Sequence, residues 1–224
     1  MSRAFCIPGI VFLVAALVLS FLVSVSLPFL PALDIVRTNF QGGVQQGAIG
    51  TVQTRLGIWS ACAYDTHGSR TCLKTGHAYT FEIDRDLQKS KVAIVKASWT
   101  RGLAVHPVAT AAIFIALLLS FSTHLTATLL ASLMSFLAAL LTLIAFAIDI
   151  ALFALVRHAM NGLDIGANTN TAPGFWMTFV TLILLLLAGC TVCFGRRNDR
   201  MSGATSSYPM SSTGGGFLSR FRKN

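Results

Sequence analysis

The chain has 224 residues, of which 54% are hydrophobic and only 11% are charged, and its mean hydropathy is +0.69. A soluble domain of this length has too little interior to bury that much apolar surface, so the composition excludes an ordinary soluble globular protein. The formal net charge is +9, and the position of the basic residues along the chain is more informative than their number.

Four long apolar runs account for the composition, and each has about the 20 residues that an α-helix needs to cross the hydrocarbon core of a bilayer. Helices are required because lipid offers no partner for backbone N–H and C=O groups. The runs predict spans at residues 9–31, 102–121, 129–156 and 175–194. The first run is long for a signal peptide, and Pro28 and Pro31 follow it, so we interpret it as an uncleaved helix; cleavage would leave three spans.

The basic residues predict which side of the membrane each segment faces. The tail after the fourth run contains a single acid, Asp199, and six basic residues: Arg196, Arg197, Arg200, Arg220, Arg222 and Lys223. By the positive-inside rule this tail is cytosolic, whereas the long loop counts little because loops of its length are translocated regardless of charge. With four spans, residues 1–8, 122–128 and 195–224 are cytosolic, and residues 32–101 and 157–174 are extracellular.

The tail itself predicts contact with anionic lipid. Its Ser- and Gly-rich stretch SGATSSYPMSSTGGG is typical of a disordered linker, so we expect residues 195–224 to be a disordered basic tail. Each basic residue near an anionic surface contributes about 1 kcal/mol to binding. Snorkelling and solubility are the plainer explanation of the same charges. Nucleic-acid binding is not expected, because the tail is tethered to a membrane and has no recognition module.

The five cysteines fall into two groups. Cys62 and Cys72 lie in the predicted extracellular loop, where oxidising conditions favour a disulfide. Zinc is the alternative, since the ligand types recur at five-residue steps in Cys62, His67, Cys72 and His77, but this spacing matches no common zinc module. We therefore predict a disulfide and no metal site. The other three cysteines lie near the cytosolic ends of the spans and are either palmitoylation sites or small apolar helix residues: Cys6, Cys190 and Cys193.

The long loop reads as a small β-rich module. Short extended pieces occupy residues 49–83, and Tyr79, Phe81 and Ile83 alternate onto one face. The simplest arrangement is a two-strand hairpin held by the disulfide. The segment from Asp84 onwards has acids in its first turn and apolar residues at helical spacing, so we predict a helix there that continues into the second span. The residues at that spacing are Leu87, Val92, Val95 and Trp99.

Asp149 is the one acid inside a predicted span, and an intramembrane carboxylate is a functional-site hypothesis by default. It shares a helix face with Thr142 and Ala145. In the structural interpretation its carboxylate bonds to Ser or Thr hydroxyls, or pairs with Arg101 or His106. In the functional interpretation it senses protons together with His106 or His158. No nucleophile motif or phosphate-cradling glycine loop is present, so neither an enzyme nor a cofactor is expected.

Two sets of motifs resemble known families. Gly57, Ile58, Trp59, Cys62 and Cys72 match the Gly-Leu-Trp…Cys…Cys signature of claudin-like four-span proteins. The segments VHPVATAAIFIALLLSF and LIAFAIDIALFALVRHAM resemble the fungal PalI group, which includes ambient-pH response regulators and cortical-patch proteins of the plasma membrane. This likeness covers most of residues 5–197. An earlier loop Trp that is common in claudins is missing, which counts against paracellular adhesion.

The resemblance implies an all-α membrane protein, a claudin-like four-transmembrane-helix bundle with a small disulfide-linked extracellular module. It implies a non-enzymatic plasma-membrane helper that assists a multi-span sensor in alkaline-pH signalling. The alternative is a component of static cortical domains, related to the cell wall or endocytosis, which would contact a cortical scaffold. A claudin-like adhesion protein and a small transporter or channel subunit are further alternatives. The scarcity of polar residues in the helices counts against a transport path. A homo-oligomer stays open.

Overall fold

The computed structural model describes residues 6–46, 49–84, 92–122, 125–163 and 165–206; side chains are described within these ranges except at 6–7, 41–46, 49, 84, 125, 128 and 191–206. The helices are α1 Cys6–Ser24, α2 Ala97–Thr100, α3 Val105–Ser120, α4 Leu125–Asn161 and α5 Pro173–Ser206. The strands are β1 Val36–Gln46, β2 Ile49–Leu56, β3 Ala61–Tyr64, β4 Arg70–Cys72, β5 Phe81–Asp84, β6 Val92–Val95 and β7 Asn168–Thr171.

The helices make this chain a membrane protein. A 3₁₀ turn, Arg101–Ala104, joins α2 to α3. Among the described residues three helical segments are long and apolar enough to cross a bilayer, and a fourth apolar helix is shorter. The three are Ala97–Ser120, Leu129–Asn161 and Pro173–Cys190, and the shorter one is Pro8–Ser24.

The helices form a ring in which α1 packs against α3 and α5, and α4 packs against the same two helices. Small residues lie at the contacts, because they let helix backbones approach closely where lipid provides no hydrophobic driving force. Small residues at helical spacing are buried there, including Ala112, Ala116, Ala131, Ser135 and Ala139. Large apolar side chains point outward instead; the side chain of Phe136, for example, is 68% exposed.

A seven-stranded sheet covers one end of the helix ring. Its strands follow the order β4-β3-β2-β1-β5-β6, and β7 also pairs with β1. The first half of β1 pairs with β7 and its end meets β5, so two strands share one side of β1. We call this sheet with its connecting turns the sheet module. Its core continues into the adjoining ends of α4 and α5 through Leu152, Val156, Met160 and Phe175.

The sheet module is larger than the hairpin that the sequence predicted. A two-strand hairpin is at best marginally stable in water and needs further strands or packing. Here β1 comes from the segment before residue 49, and β7 comes from the loop between α4 and α5. The alternation of Tyr79, Phe81 and Ile83 is confirmed, because all three side chains are buried and Thr80 and Glu82 between them are exposed.

The helix predicted from Asp84 is wrong at Val92–Val95, whereas its continuation into the second span is confirmed, because Ala97–Ser120 is one apolar helical segment. Val92–Val95 is strand β6, which pairs antiparallel with β5. Ala93 and Val95 are buried and Ile94 is exposed, which is the period of a strand. The segment is β-branched, and its apolar residues are also consistent with helical spacing, so pairing with β5 decides the conformation. Leu87 lies outside the described residues, and Trp99 lies in α2.

The helix boundaries also differ from the predicted spans. Helix α1 ends at Ser24 rather than near residue 31, and turns follow it up to Pro28, which has no N–H to donate. Helix α4 extends the third run at both ends. Helix α5 continues to Ser206, so the tail expected to be disordered from residue 195 begins as helix. Residues 207–224 lie outside the described part of the chain.

Candidate functional site

The Gly57-Ile58-Trp59 motif joins the sheet module to the end of α1. The Trp59 Nε1–H donates to the Ser24 carbonyl at 2.7 Å, and the Ile58 N–H donates to Ser26 Oγ at 3.0 Å. Gly57 is required by close approach, since a Cβ at this position would lie 2.6 Å from the Leu27 Cβ. The motif is therefore a junction between strand and helix.

Tyr79 continues this junction towards α2. Its buried hydroxyl donates to the Gly57 carbonyl at 2.7 Å, and Thr100 Oγ1 donates to the Tyr79 carbonyl at 2.8 Å. Burial raises the pKa of the Tyr79 phenol far above its ordinary value, so the phenol stays protonated and keeps donating. Through Tyr79 the motif is linked to the segment that opens the second spanning helix.

A partly buried ion pair, in which Asp34 is buried and Arg37 is not, lies at a second junction that the sequence analysis missed. Arg37 Nε and Nη2 donate to the two Asp34 carboxylate oxygens at 2.8 and 2.7 Å. These hydrogen bonds raise the pKa of the Arg37 guanidinium against the effect of its burial. The Gly174 N–H donates to the Asp34 carbonyl at 2.8 Å, and a Cβ on Gly174 would lie 2.7 Å from that oxygen. The start of α5 is thus fixed to the start of β1. The spacing Asp-x-x-Arg was the available signal.

The predicted disulfide between Cys62 and Cys72 is present and joins partner residues of β3 and β4. The turn between the strands is held by Asp65, whose Oδ1 accepts from the N–H groups of His67 and Ser69. The alternative zinc site is excluded, because disulfide sulfurs are not thiolate ligands and His67 lies exposed on the turn. The described residues contain no group of three or more His, Cys, Asp or Glu that would hold a metal.

Asp149 pairs with His106 inside the helix ring. His106 Nε2 lies 3.0 Å from Asp149 Oδ1, and the two side chains are 4% and 0% exposed. Of the partners that the sequence offered, the described structure therefore selects His106. Arg101 and His158 are exposed on the surface instead. The other carboxylate oxygen of Asp149 is buried and has no hydrogen-bond partner in the described part of the chain.

A small cavity lies beside this pair, and all four long helices contribute to its wall. Its volume is about 10 Å³, which is room for the centre of roughly one water-sized guest. The lining residues are Ser20, Val23, His106, Ala109, Thr142, Ala145, Thr178 and Thr181. We call the polar lining residues with Asp149 the polar centre. The sequence analysis found Thr142, and it missed the hydroxyls of α1 and α5, whose signal was helical spacing (Ser20 and Ser24; Thr178 and Thr181).

Those remaining predicted site residues that belong to α1 and α5 lie towards the helix ends opposite the sheet module. Cys190 is a free, exposed cysteine. Five further residues lie in helices, but the structure does not describe their side chains: Cys6, Cys193, Arg196, Arg197 and Arg200. Arg220, Arg222 and Lys223 lie outside the described residues altogether. Palmitoylation and lipid contact at these positions therefore stay predictions.

Residues 5–190 match the family model described as the SUR7/PalI family. The match covers most of the chain and includes the junction motif, the disulfide and the polar centre. A comparison with curated proteins finds no match. The PalI resemblance predicted from the sequence is confirmed.

Proposed function

Because the chain belongs to the SUR7/PalI family, we propose that it is a non-enzymatic accessory protein of the plasma membrane that assists a multi-span sensor in alkaline-pH signalling. The observation that carries the proposal is the rigid attachment of the sheet module to the helices. Helper proteins of this kind need a surface that engages a partner and a connection that conveys the engagement across the membrane.

In this proposal the chain crosses the bilayer four times. Helix α1 has 19 residues, which at about 1.5 Å per residue covers nearly the whole hydrocarbon core. The sheet module faces the cell exterior, where the Cys62–Cys72 disulfide is chemically stable. Both termini are cytosolic, in accord with the basic residues that follow residue 195. The tail then contacts anionic lipid.

The junctions supply the connection. Trp59 holds the end of α1, Tyr79 reaches the α2 segment through Thr100, and the Asp34 carbonyl holds the start of α5. A partner that displaces the sheet module therefore displaces the ends of these helices as well. The His106–Asp149 pair lies within the same ring, and its charge depends on the protonation of His106. We assign proton sensing to this pair.

Crosslinking in living cells tests the proposal. The tagged full-length protein is crosslinked before and after a shift to alkaline medium, and its neighbours are identified by mass spectrometry. We expect a recurrent multi-span membrane protein that is enriched after the shift. A cortical scaffold as the recurrent neighbour would replace this proposal with organisation of static membrane domains, and neighbours consisting only of the same chain on an apposed cell would replace it with adhesion.

A matched pair of variants tests the assignment of the proton-sensing pair. Asp149→Asn removes the carboxylate and nearly keeps its shape. Ser135→Ala is the control, because it removes a different buried polar group of α4, a hydroxyl that donates to the carbonyl four residues before it. We expect Asp149→Asn to abolish the alkaline response in cells and Ser135→Ala to leave it unchanged. An intact response in a well-folded Asp149→Asn protein would remove the pair from the signalling mechanism.

A further inference from the structure

The segment that follows α1 keeps an apolar surface exposed. We call residues 28–32, with the sequence Pro-Phe-Leu-Pro-Ala, the exit turn. Its Phe29 side chain is 66% exposed. Helix α1 carries a stripe of exposed apolar side chains at helical spacing, formed by Val11, Val14, Val18 and Phe21. Phe29 is the next exposed large apolar side chain along the chain, so the lipid-facing surface of α1 leads directly to the exit turn.

The exit turn lies where the helices end. It begins four residues after α1 ends at Ser24, and it is followed by Asp34, whose carbonyl accepts from the Gly174 N–H in the first turn of α5. Trp176 in the same turn of α5 is 55% exposed. Exposed tryptophans of spanning helices are enriched at the membrane–water interface. The exit turn is therefore at the level of the lipid headgroups.

Two arginines of the sheet module converge on the exit turn. Arg55 Nη1 donates to the Pro31 carbonyl at 3.0 Å, and Arg70 Nη1 donates to the Pro28 carbonyl at 3.3 Å. The arginines belong to β2 and β4, which are separated by β3 in the sheet. In the described part of the chain neither arginine pairs with a carboxylate, whereas Arg37 does. Two positive charges without a described acidic partner therefore lie beside one apolar turn.

Both guanidinium groups keep donors available. A guanidinium has five N–H donors in one plane, and this geometry matches the oxygens of a phosphate group. Among the described residues Arg55 uses Nε for Gln53 and Nη1 for the exit turn, and Arg70 uses only Nη1. The Arg55 guanidinium also lies over the Tyr64 ring, 4.4 Å from its centroid. Arg55 is thus held in position with its Nη2 group free for a further acceptor.

We propose that the exit turn, Arg55 and Arg70 form a binding site for the phosphate of a membrane phospholipid, in the leaflet that the sheet module covers. Phe29 packs among the acyl chains below that headgroup. A phospholipid supplies both missing partners, since its phosphate carries the negative charge and its chains bury the exposed ring. A soluble anion would serve the arginines alone. The site is separate from the lipid contact predicted for the basic tail, which follows the opposite end of α5.

Fluorescence of the full-length protein in lipid nanodiscs tests the position of Phe29. The three cysteines outside the disulfide are replaced by serine, and the environment-sensitive fluorophore NBD is attached to Phe29→Cys. The control carries the label on Thr66→Cys, which is exposed in the turn at the other end of β3. We expect lipids with a nitroxide near the headgroup end of the acyl chain to quench the label at position 29 and to leave the label at position 66 unquenched. Emission from position 29 that is typical of water and is not quenched would overturn the proposal.

Thermal unfolding in detergent tests the recognition of the phosphate. The midpoint of the purified full-length protein is measured with dioleoylphosphatidylglycerol, with dioleoylglycerol, which has the same chains and no phosphate, and with inorganic phosphate. A ligand that binds only the folded state raises the midpoint. We expect the phospholipid to raise it most, because it alone supplies phosphate and chains together. An equal rise with dioleoylglycerol would remove the phosphate from the site, and an equal rise with inorganic phosphate would replace the lipid by a soluble anion.

Variants of single charges separate this site from general attraction between basic residues and lipid. Arg70→Gln removes one guanidinium from the exit turn. Lys74→Gln is the control, because it removes one exposed positive charge of the same module that has no described contact with the turn. We expect Arg70→Gln to raise the phosphatidylglycerol concentration needed for half of the midpoint shift about fivefold, Arg55→Gln/Arg70→Gln to raise it further, and Lys74→Gln to leave it unchanged. The basic tail is the same in all of these proteins. Equal concentrations in all four would refute the site.

Discussion

Gly57 lies in close contact with the turn that follows the first helix. A Cβ there would lie 2.6 Å from the Leu27 Cβ, 2.9 Å from the Leu27 nitrogen and 3.1 Å from Ser26 Oγ. Two of these atoms belong to side chains that are themselves buried, and the third is backbone. None of them has room to move away. The first position of the junction motif is thus restricted to glycine by contact.

Gly57→Ala should therefore destabilise the protein. We expect the free energy of unfolding to fall by about 1–3 kcal/mol, as for other insertions of a methyl group into a packed interior. Denaturation of the detergent-purified protein, followed by tryptophan fluorescence, measures the change. Gly50→Ala is the control, because a Cβ at Gly50 meets no atom within 4 Å. Equal losses in the two variants would show that the approach of Leu27 is not what requires glycine.

Tyr79 gives the junction a dependence on alkaline pH. Burial raises the pKa of its phenol, so above pH 10, the ordinary pKa of tyrosine, the unfolded chain releases a proton that the folded chain retains. Stability therefore falls as pH rises beyond 10, by about 1.4 kcal/mol per pH unit. Below pH 10 the contribution of the Tyr79 phenol to the free energy of unfolding is fully present.

Tyr79→Phe should make this decline shallower. At neutral pH the variant loses the hydrogen bond to the Gly57 carbonyl, which costs about 0.5–1.5 kcal/mol. Between pH 10 and 11.5 its deficit relative to the unaltered protein should shrink. Unfolding midpoints measured across this range are the readout. Tyr64→Phe, in the same sheet, should keep the steep decline; a parallel decline in all three proteins would refute a titrating Tyr79.

At the scale of elements, the disulfide and its turn stabilise the edge strand β4, which has only three residues. Asp65 orders the turn by accepting two backbone N–H groups, and Gly68 provides the positive φ of 79°. The bond between Cys62 and Cys72 spans ten residues of sequence. A loop this short limits the entropy that crosslinking removes from the unfolded chain.

The double variant Cys62→Ala/Cys72→Ala should lose about 2–3 kcal/mol of unfolding free energy on the chain-entropy estimate. Chemical denaturation of the oxidised protein, the reduced protein and the double variant measures this loss. The reduced protein should match the variant, since both lack the crosslink and keep the rest of the sheet. A double variant as stable as the oxidised protein would mean that the turn and the strands alone hold the edge.

The sequence predicted those elements whose residues follow one strong period or one local chemistry. The long apolar helices belong to this group, as do the Cys62–Cys72 bond and the buried face of Tyr79, Phe81 and Ile83. Strands β1 and β7 were not predicted, because their residues are mostly polar and a register shift between Asn39 and Val44 breaks the alternation of β1. Such strands are specified by partners far away in the chain.

The polar centre was likewise predicted only in part from the sequence. Asp149 was recognisable because an acid inside an apolar helix is rare. Ser20, Thr178 and Thr181 are ordinary residues in their own helices, and they line one cavity only because the four long helices pack around it. Their helical spacing within α1 and α5 was a signal, but it does not by itself separate them from hydroxyls that line no cavity, such as that of Ser135.

For the whole molecule, the proposed topology predicts which cysteines a membrane-impermeant maleimide reaches. Thr80→Cys and Asn170→Cys place exposed thiols on the sheet module. The first lies between α1 and α2, and the second lies between α4 and α5. We expect both to be labelled on intact cells, whereas the unaltered protein, including Cys190, should be labelled only after permeabilisation. Labelling of the unaltered protein on intact cells would reverse the orientation, and labelling of only one of the two variants would contradict four spans.

The position of β7 has a consequence for how the protein is made. Thr38 of β1 and Thr169 of β7 bond to each other across 131 residues, and the two strands pair along Val36–Asn39. In the proposed four-span topology, half of one side of β1 therefore stays open during synthesis until α4 has been inserted and the chain has returned to the same side of the bilayer. An incomplete chain therefore exposes unpaired backbone N–H and C=O groups at this edge. In that topology, closure of the edge marks a molecule in which α4 has been inserted in the correct direction.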